Sequence, residues 1–307
     1  MTEIKLNAVN IATLTERCVE GKVLTTLIDI SDNVCYDSVL IRQLHRRQMT
    51  MDYSTRGGQE NDRLVEAVSD HYGVPFNNVA IGFGIADILN RTIQAVGSYA
   101  SVLCAISPTW MGIETACRQN FLTCQKSRDY VYGDILYIAN PNGRTGKVVP
   151  AEELIEKCKS YHTVIVDEAY GEYAAESLIG RHDMKNLIVM KTLSKSVAST
   201  GLRFGYCFAH ETMIKKIRMF EQKYNATAMS HALVPYLLNQ IEPHTARMKK
   251  TKAWLEENFK CAESHSNFVR MSNPPQWILD NFNVAKIGRY HRITLVDLGT
   301  IQPLYSK

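Results

Sequence analysis

Short apolar segments alternate with helical segments between about residues 58 and 225, and this alternation constrains the fold more than any other feature. Three of the apolar segments are residues 101–106, 163–166 and 186–190. Apolar strands that alternate with helices are typical of a parallel sheet whose faces are covered by helices. The sequence therefore predicts an α/β fold with a mostly parallel sheet wrapped by helices.

Asp167 comes directly after the apolar segment 163–166. In an open α/β sheet, ligands bind at the carboxyl ends of the strands. A carboxylate in this position is therefore aimed at a binding site. The alternative is that Asp167 caps the N-terminus of a following helix, which is a common role for aspartate.

Lys195 lies in the sequence Lys-Thr-Leu-Ser-Lys-Ser (191–196), and Arg203 follows it eight residues later. A lysine amine can form a Schiff base with an aldehyde, while an arginine and hydroxyl groups can hold a phosphate. Pyridoxal 5'-phosphate carries both groups, so we expect Thr192, Ser194 and Arg203 to bind its phosphate. Alternatively, Lys195 is an ordinary lysine in a polar loop and Arg203 is unrelated to it.

Asp167 suits the same cofactor. A carboxylate beside the pyridine nitrogen keeps that nitrogen protonated and makes the ring a strong electron sink. Tyr170, three residues further on, could reach the ring hydroxyl. The apolar segment 186–190 separates Asp167 from Lys195, so we expect both side chains at the same edge of the sheet.

Three motifs, in this order, resemble those of the fold-type I pyridoxal-phosphate enzymes, and specifically the histidinol-phosphate aminotransferase branch. They are a strand that ends in Asp-Glu-Ala-Tyr (167–170), Lys-Thr-Leu-Ser-Lys (191–195) and Gly-Leu-Arg-Phe-Gly-Tyr (201–206). The resemblance covers roughly residues 25 to 295 and implies a seven-stranded type of sheet with a small α+β lobe. It makes Lys195 the Schiff-base lysine, with Asp167 and Tyr170 as the other catalytic residues.

The segment 79–88 resembles the family's Gly-Asn-Gly-Ser-Asp-Glu turn, which opens a helix. The resemblance implies that backbone N–H groups of Gly84, Ile85 and Ala86 bind the cofactor phosphate at the positive end of the helix dipole. Phe83, Ile85 and Ala86 replace polar residues of the family, so only the backbone contribution is expected. Without the family, a Gly-x-Gly before a helix could be an ordinary tight turn.

Trp110 ends the sequence Ser-Pro-Thr-Trp (107–110), which resembles the family's Pro-Thr-Tyr. The resemblance implies that its ring stacks on the cofactor; the alternative is a core or surface tryptophan. The loop 140–146 resembles the family's Asn-Pro-Asn-Asn-Pro-Thr-Gly, whose fourth residue hydrogen-bonds the ring hydroxyl. That place is taken by Gly143. We expect Asn142 to take over this hydrogen bond through a shifted loop; otherwise the hydrogen bond is missing.

The segment 51–58 resembles the family's Tyr-Pro segment. In the family this tyrosine reaches the phosphate in the active site of the neighbouring subunit. The resemblance therefore makes Tyr53 a cofactor-binding residue and implies a homodimer with shared active sites. A loop tyrosine without such a role is the alternative.

The resemblance also assigns residues to the substrate. Arg292 lies where the family carries the arginine for the substrate carboxylate, whose two oxygens match the planar fork of a guanidinium. Arg289 is a competitor for this role. Asn33 follows a segment that resembles the family's strand before Asn-Glu-Asn, and we expect it to contact the substrate. Asn267 is expected to support the site without touching the substrate.

The chain is expected to divide into three parts. Residues 1–45 form an N-terminal arm and part of a small lobe, 46–230 form the large cofactor-binding domain, and 231–307 form a linking helix and a small C-terminal domain. The helical stretch from about 230 to 258 is expected to break near Pro243. The C-terminal lobe is shorter than in the family and is expected to lack the usual closing helix. The identity of the substrate is therefore not predicted.

Composition agrees with a cytoplasmic enzyme. The net charge is +4, and a basic cluster at residues 247–252 lacks the aromatic residues of a nucleic-acid stripe, so no nucleic acid is expected as a partner. The eight cysteines include no Cys-x-x-Cys pair, which argues against a metal site and against a disulfide framework. No segment approaches the roughly 20 apolar residues of a membrane span.

The predicted function is that of a pyridoxal-phosphate-dependent aminotransferase. It transfers an amino group between an amino acid or amino phosphate and a 2-oxo acid. A decarboxylase or lyase of the same branch that acts on an amino acid phosphate is one alternative, because the cofactor activates whichever bond lies perpendicular to its ring. A non-catalytic descendant that binds the cofactor is another; Gly143 and Ala86 favour it, and the presence of Lys195 and Asp167 counts against it.

Overall fold

The structure is a computed structural model that describes residues 18–19, 22–23, 28–30, 33–48, 61–97, 99–222 and 226–305. Tyr53 lies outside the described residues. The helices are α1 (Ser38–Gln48), α2 (Asn61–Tyr72), α3 (Ile85–Val96), α4 (Gly112–Gln119), α5 (Ala151–Lys157), α6 (Leu193–Ser196), α7 (Glu211–Arg218), α8 (Ala228–Leu238), α9 (Ile241–Asn258), α10 (Gln276–Asn281) and α11 (Leu298–Tyr305).

The strands belong to one large sheet and three small ones. They are β1 (Cys18–Val19), β2 (Lys22–Val23), β3 (Ile28–Asp29), β4 (Val79–Gly82), β5 (Val102–Ile106), β6 (Thr123–Ser127), β7 (Ile135–Ala139), β8 (Thr163–Asp167), β9 (Leu187–Thr192), β10 (Gly205–Ala209), β11 (Phe268–Met271), β12 (Phe282–Asn283), β13 (Ala285–Ile287) and β14 (Tyr290–Thr294).

The large sheet has seven strands in the order β4-β10-β9-β8-β7-β5-β6. Strand β10 runs antiparallel to both of its neighbours, and all the other pairs are parallel. The predicted α/β fold with a mostly parallel seven-stranded sheet is confirmed.

Helices cover both faces of this sheet, which explains why its central strands are apolar along their whole length. Every residue of β8 and β9 is buried. Helices α2, α5 and α8 pack on one face, and α3, α4 and α7 pack on the other. Each buried leucine or isoleucine contributes on the order of 1.5–3 kcal/mol relative to an exposed one.

The direction of the strands brings several loops to one edge of the sheet. Strands β5, β7, β8 and β9 are parallel, and β4 points the same way because both β4 and β9 run antiparallel to β10. Their carboxyl ends therefore meet at one edge, and the antiparallel β10 begins there at Gly205. This is the edge at which an open α/β sheet binds ligands.

A smaller antiparallel sheet, β11-β14-β13, faces this edge from the C-terminal part of the chain. Its core is a third apolar cluster that includes Ile30, Met248, Leu255 and Val269. The cluster joins the N-terminal segment to α9 and to the small sheet. Asp37 strengthens this junction, since its carboxylate accepts hydrogen bonds from Arg247 Nη2 at 2.6 Å and contacts the ring of His244 at 2.8 Å.

Two expectations about the C-terminal helices require correction. The break in the long helical stretch falls at residues 239–240, and Pro243 lies in the first turn of α9, where its missing N–H costs no helical hydrogen bond. The prediction that no closing helix follows Arg292 is wrong, because α11 follows it. Burial of Ile301 and ring contacts of Tyr305 hold α11 in place despite Pro303.

Candidate active site

One cavity of about 610 Å³ lies between the carboxyl edge of the large sheet and the β13–β14 hairpin. All the predicted site residues except Tyr53 line this cavity. They are Asn33, Gly84, Ile85, Ala86, Trp110, Asn142, Asp167, Tyr170, Thr192, Ser194, Lys195, Arg203 and Arg292. The structure thus brings residues from seven separate parts of the sequence to one place.

Asp167 lies at the end of β8, and its carboxylate is buried. Oδ1 accepts a hydrogen bond from the N–H of Ala169 at 2.9 Å, and Oδ2 accepts one from the hydroxyl of Tyr137 at 2.5 Å. Burial raises the pKa of Asp167, while the Tyr137 hydrogen bond and the charge of Lys195 act in the opposite direction. A cationic ligand that enters the cavity would therefore stabilise the ionised form of this carboxyl.

Sequence reasoning missed Tyr137. It lies on β7, which runs parallel to β8 with Ala139 beside Asp167. Its side chain is fully buried, and Asp167 is the partner of its hydroxyl. The available indication was a single hydroxyl group in the otherwise apolar strand Ile135–Ala139.

Lys195 lies on the short helix α6, directly after β9. The last residue of this helix is tied to the end of β9, because the hydroxyl of Ser196 donates to the carbonyl of Thr192 at 2.8 Å. The side chain of Lys195 is half-buried, lines the cavity and interacts electrostatically with Asp167. An amine and a carboxylate therefore face the same space from adjacent strands.

Thr192 and Ser194 form one side of an anion-binding turn. Thr192 caps the N-terminus of α6, since its hydroxyl oxygen accepts a hydrogen bond from the N–H of Ser194 at 3.1 Å. The same hydroxyl donates to the carbonyl of Phe204 at 2.8 Å. The hydroxyl of Ser194 lies 3.0 Å from that of Thr192 and lines the cavity.

Arg203 forms the other side of this turn, against the beginning of α3. A Cβ atom at Gly84 would lie 2.8 Å from Arg203 Nη2, so the guanidinium touches the first turn of the helix. Gly205 permits the close approach, because a Cβ atom there would lie 2.5 Å from the carbonyl carbon of Gly84. A guanidinium and a helix N-terminus side by side form a strong anion site.

The side chain of Asn142 hydrogen-bonds backbone groups of its own loop and of the loop after β5. Its amide nitrogen donates to the carbonyl of Pro108 at 2.6 Å, and its side-chain oxygen accepts hydrogen bonds from the N–H groups of Arg144 and Thr145. This arrangement does not support the prediction that Asn142 replaces the asparagine absent at position 143. Asn142 nevertheless lines the cavity. Its role in cofactor binding stays a prediction.

Tyr170 and Arg292 meet at the backbone of Gly143. Arg292 Nη1 donates to the carbonyl of Gly143 at 3.3 Å, and its guanidinium carbon lies 5.8 Å from the centre of the Phe268 ring. Burial raises the pKa of Tyr170 to about 12, although Asn33 and Arg292 lower it. Tyr170 therefore carries its proton at neutral pH and can donate a hydrogen bond into the cavity.

The other predicted substrate residues take distinct positions. Arg289 is exposed and contacts the hydroxyl of Tyr290 at 2.9 Å, whereas Arg292 lines the cavity. Asn267 is fully buried and donates to the backbone carbonyl of Asn33 at 3.1 Å, so it supports the wall of the cavity. Trp110 lies at the mouth with 44% of its surface exposed.

The cavity is strongly positive. Five basic residues line it, and Asp167 is the single carboxylate among the described lining residues. Two of the basic residues, Arg144 and Lys286, were not predicted from the sequence. Like charges around a cavity of low dielectric attract ligands of the opposite charge. The site is therefore suited to ligands that carry more than one negative group.

These residues fit pyridoxal phosphate. The turn that joins Arg203 to Gly84 suits a phosphate, and the space that a Cβ atom at Gly84 would occupy is kept open by a glycine with φ of +81°. The buried carboxylate of Asp167 suits a protonated ring nitrogen, and Lys195 offers the amine that the aldehyde requires. The volume of the cavity lies in the ordinary range for a cofactor with a small substrate.

Comparison with known proteins gives the same assignment. The profile of the family described as aminotransferase class I and II matches residues 64–273, which is more than half of the chain. A histidinol-phosphate aminotransferase of Carboxydothermus hydrogenoformans is 26% identical over 269 residues, which are 79% of this chain and 77% of that protein. Alignments with other proteins of that name span 55% to 79% of their length.

Solved structures share the fold at lower sequence identity. Histidinol-phosphate aminotransferase from Sinorhizobium meliloti in complex with pyridoxal-5'-phosphate has a TM-score of 0.76 and 18% identity, over 91% of this chain and 89% of that one. L-threonine-O-3-phosphate decarboxylase from Porphyromonas gingivalis has a TM-score of 0.69 and 18% identity, over 90% and 96%. Together with the profile match and the cavity, these relationships show that the chain belongs to the class I and II aminotransferases and is a pyridoxal-phosphate-dependent enzyme.

Proposed function

We propose that Lys195, Asp167 and Tyr170 carry out transamination in this cavity, between an amino acid or amino phosphate and a 2-oxo acid. The observation that supports this assignment most directly is that Lys195 and Asp167 face one cavity from the ends of adjacent parallel strands. Bound pyridoxal phosphate supplies the electron sink and carries the amino group from donor to acceptor.

Each residue has a separate task in this proposal. Lys195 holds the cofactor and, once the substrate amine has taken its place, moves a proton to and from the substrate α-carbon. Asp167 keeps the ring nitrogen protonated, and Tyr170 donates its hydroxyl proton to the ring oxygen. Thr192, Ser194 and Arg203 hold the phosphate.

Substrate recognition is assigned to the positive wall of the cavity. Arg292 is placed to bind a carboxylate or phosphate of the substrate through two parallel hydrogen bonds. The relatives named histidinol-phosphate aminotransferase support an amino phosphate as a donor, and the excess of basic residues in the cavity agrees with it. Asn33 is proposed to lie beside the substrate at the same wall.

The protein is further proposed to act as a homodimer in the cytoplasm. Trp110 and Met111 line the cavity and are 44% and 71% exposed, and the large apolar side chain of Phe83, next to Gly84, is 47% exposed. A second copy would cover them and bring its Tyr53 to the phosphate. The seven described free cysteines suit a reducing compartment. The division at residues 45 and 230 stays a prediction.

The visible absorption spectrum of the purified protein tests the proposed function. Wild type is expected to show the band of a lysine-bound cofactor, Lys195→Ala is expected to lack it, and Lys147→Ala, at an exposed position, is expected to keep it. Addition of single amine donors should then convert the band to that of the amino form. Release of carbon dioxide with the band unchanged would show a decarboxylase instead.

Mixing of two inactive variants tests the shared site. If Tyr53 serves the partner's cavity, Tyr53→Ala and Lys195→Ala subunits should regain up to about a quarter of wild-type activity when mixed, because some heterodimers hold one complete site. No regained activity, with dimers present in the mixture, would contradict a shared site.

A further inference from the structure

Gly143 lies directly against the ring of Tyr170. A Cβ atom at position 143 would lie 2.5 Å from Tyr170 Cε2 and 3.1 Å from the Tyr170 hydroxyl oxygen. The backbone of Gly143 is not in the left-handed region. Lack of space, and not backbone conformation, therefore requires a glycine at this position. Any side chain there would displace the ring of Tyr170.

Asn33 approaches the same point from the N-terminal segment. Its side-chain nitrogen lies 3.5 Å from the carbonyl oxygen of Gly143, and its side chain hydrogen-bonds the hydroxyl of Tyr170. The residue is only 2% exposed, so this amide is withdrawn from solvent. A buried amide that lost these contacts would cost on the order of 1–3 kcal/mol.

The neighbours of Asn33 fix its position. Its backbone carbonyl accepts a hydrogen bond from Asn267 Nδ2 at 3.1 Å, and its side-chain oxygen lies 3.2 Å from the hydroxyl of Thr294. Its φ of +59° lies in the left-handed region, which asparagine tolerates better than most residues. The amide is therefore held toward Tyr170 by residues that do not themselves line the cavity.

We propose that Asn33 is a positioning residue for Tyr170, and that Gly143 supplies the space in which the two side chains meet. In this arrangement the side-chain amide beside Tyr170 comes from Asn33 in the N-terminal segment. Gly143 contributes only its carbonyl, which also accepts a hydrogen bond from Arg292. The absence of a side chain at position 143 is then a requirement of the site and not a loss of function. The inference rests on the proposed function, in which Tyr170 contacts the cofactor.

A double-mutant cycle tests whether Asn33 acts through Tyr170. Asn33→Asp keeps the size of the side chain and its tolerance of positive φ but cannot donate a hydrogen bond. It is expected to weaken cofactor binding about tenfold or more in the wild type, and by several-fold less in Tyr170→Phe, where only the contact with Gly143 is left to lose. Asn273→Asp, at an exposed position, is the matched control and should change nothing. Equal effects in both backgrounds would overturn the inference.

Substitution of Gly143 tests the requirement for space. Gly143→Asn, which introduces the side chain that the family carries there, is expected to weaken cofactor binding at least about tenfold and to shift the pH midpoint of the visible band. Gly180→Ala is the control, because nothing lies within 4 Å of a Cβ atom at that glycine. Tighter cofactor binding by Gly143→Asn than by wild type would show that the glycine weakens the site and would overturn the inference.

Urea unfolding of the cofactor-free protein separates this inference from the proposed function. Asn33→Asp should lower the unfolding midpoint more in the wild type than in Tyr170→Phe, whether or not the cofactor binds. Coupling in unfolding without any visible band would contradict the proposed function alone. A band in the wild type with no coupling in either measurement would contradict the inference alone.

Discussion

Tyr137 donates a 2.5 Å hydrogen bond to Oδ2 of Asp167; both side chains are buried, and Asp167 lines the cavity while Tyr137 lies behind it. Burial raises the pKa of this carboxyl, and the Tyr137 hydrogen bond is the first of the contacts that counteract it. Hydrogen bonds to charged groups contribute about 1.5–3 kcal/mol. Tyr137 therefore helps to keep Asp167 ionised before any cofactor binds.

Loss of this hydrogen bond should impair cofactor binding in a pH-dependent way. Tyr137→Phe raises the pKa of Asp167 further, so the carboxylate form is lost at a higher pH than in wild type. We expect cofactor affinity to fall about tenfold or more at pH 6 and by less at pH 8. Tyr132→Phe, at a side chain that is 80% exposed, is the control. A pH-independent loss of affinity would instead indicate general damage to the fold.

Asp167 should also destabilise the cofactor-free protein. The folded-state pKa of Asp167 lies above the usual value, because burial disfavours the ionised carboxylate. The free energy of unfolding therefore falls as pH rises above the usual pKa, and this fall is complete above the raised pKa. Asp167→Asn removes the cost. We expect its cofactor-free form to melt at least about 2 °C higher than wild type at neutral pH, with a difference that shrinks toward pH 4. A lower melting temperature for this variant at neutral pH would contradict the prediction.

The sheet and the meeting of Asp167 with Lys195 were predictable from local patterns in the sequence, whereas most of the other cavity residues were predicted from the motif resemblance, and Arg144 and Lys286 were not predicted. Apolar strands with polar residues at their ends predicted the carboxyl edge, and the structure brings Asp167 and Lys195 together there. The motif resemblance added Arg292, which lies far away in sequence. Only the prediction for Asp167 and Lys195 follows from the common direction of parallel strands, since Arg292 lies on β14 of the small antiparallel sheet.

Contacts between distant segments were not predictable in this way. Tyr137 faces Asp167 only because of the register between β7 and β8, which no local pattern specifies. Asn33 reaches Tyr170 because β3 joins the C-terminal lobe through β12. The prediction for Asn142 remains untested; the structure adds a contact with a distant segment, because its amide nitrogen donates to the carbonyl of Pro108 while its oxygen accepts from Arg144 in its own loop.

A buried ion-pair network lies behind the site. Lys191 Nζ lies 2.7 Å from the carboxylate of Glu172 and 3.9 Å from that of Glu168, and the ammonium group counteracts the burial that raises the pKa of Glu168. Lys191→Met would leave these two carboxylates without their cation. We expect a loss of about 3–5 kcal/mol in the free energy of unfolding. Lys185→Met, at an exposed position, should change it by less than about 0.5 kcal/mol.

The stability of the junction between the N-terminal segment and α9 should fall at acid pH. Hydrogen bonds from His244 and Arg247 outweigh burial and lower the pKa of Asp37 to about 2. Because this folded-state pKa is below the usual 3.8, Asp37 contributes stability above about pH 4 and loses it as pH falls toward 2. Asp37→Asn should therefore lower the unfolding free energy at pH 7 by about 3 kcal/mol and make the fall in this free energy between pH 4 and pH 2 less steep. An unchanged acid transition in the variant would contradict this.

Gly84 allows a test of the phosphate site that separates strain from steric conflict. Gly84 and Gly73 both have positive φ, of +81° and +64°, so alanine is strained at either position, and more so at Gly84, whose ψ of 172° places it in a region that is almost restricted to glycine. A Cβ atom at Gly84 would also lie 2.8 Å from Arg203 Nη2, whereas nothing lies within 4 Å of one at Gly73. Gly84→Ala should therefore displace the guanidinium from the helix N-terminus and weaken cofactor binding at least about tenfold. Gly73→Ala should also lower the melting temperature, by less than Gly84→Ala, and leave cofactor affinity within about twofold of wild type. Equal losses of affinity in the two variants would show that backbone strain, and not the position of Arg203, controls the phosphate site.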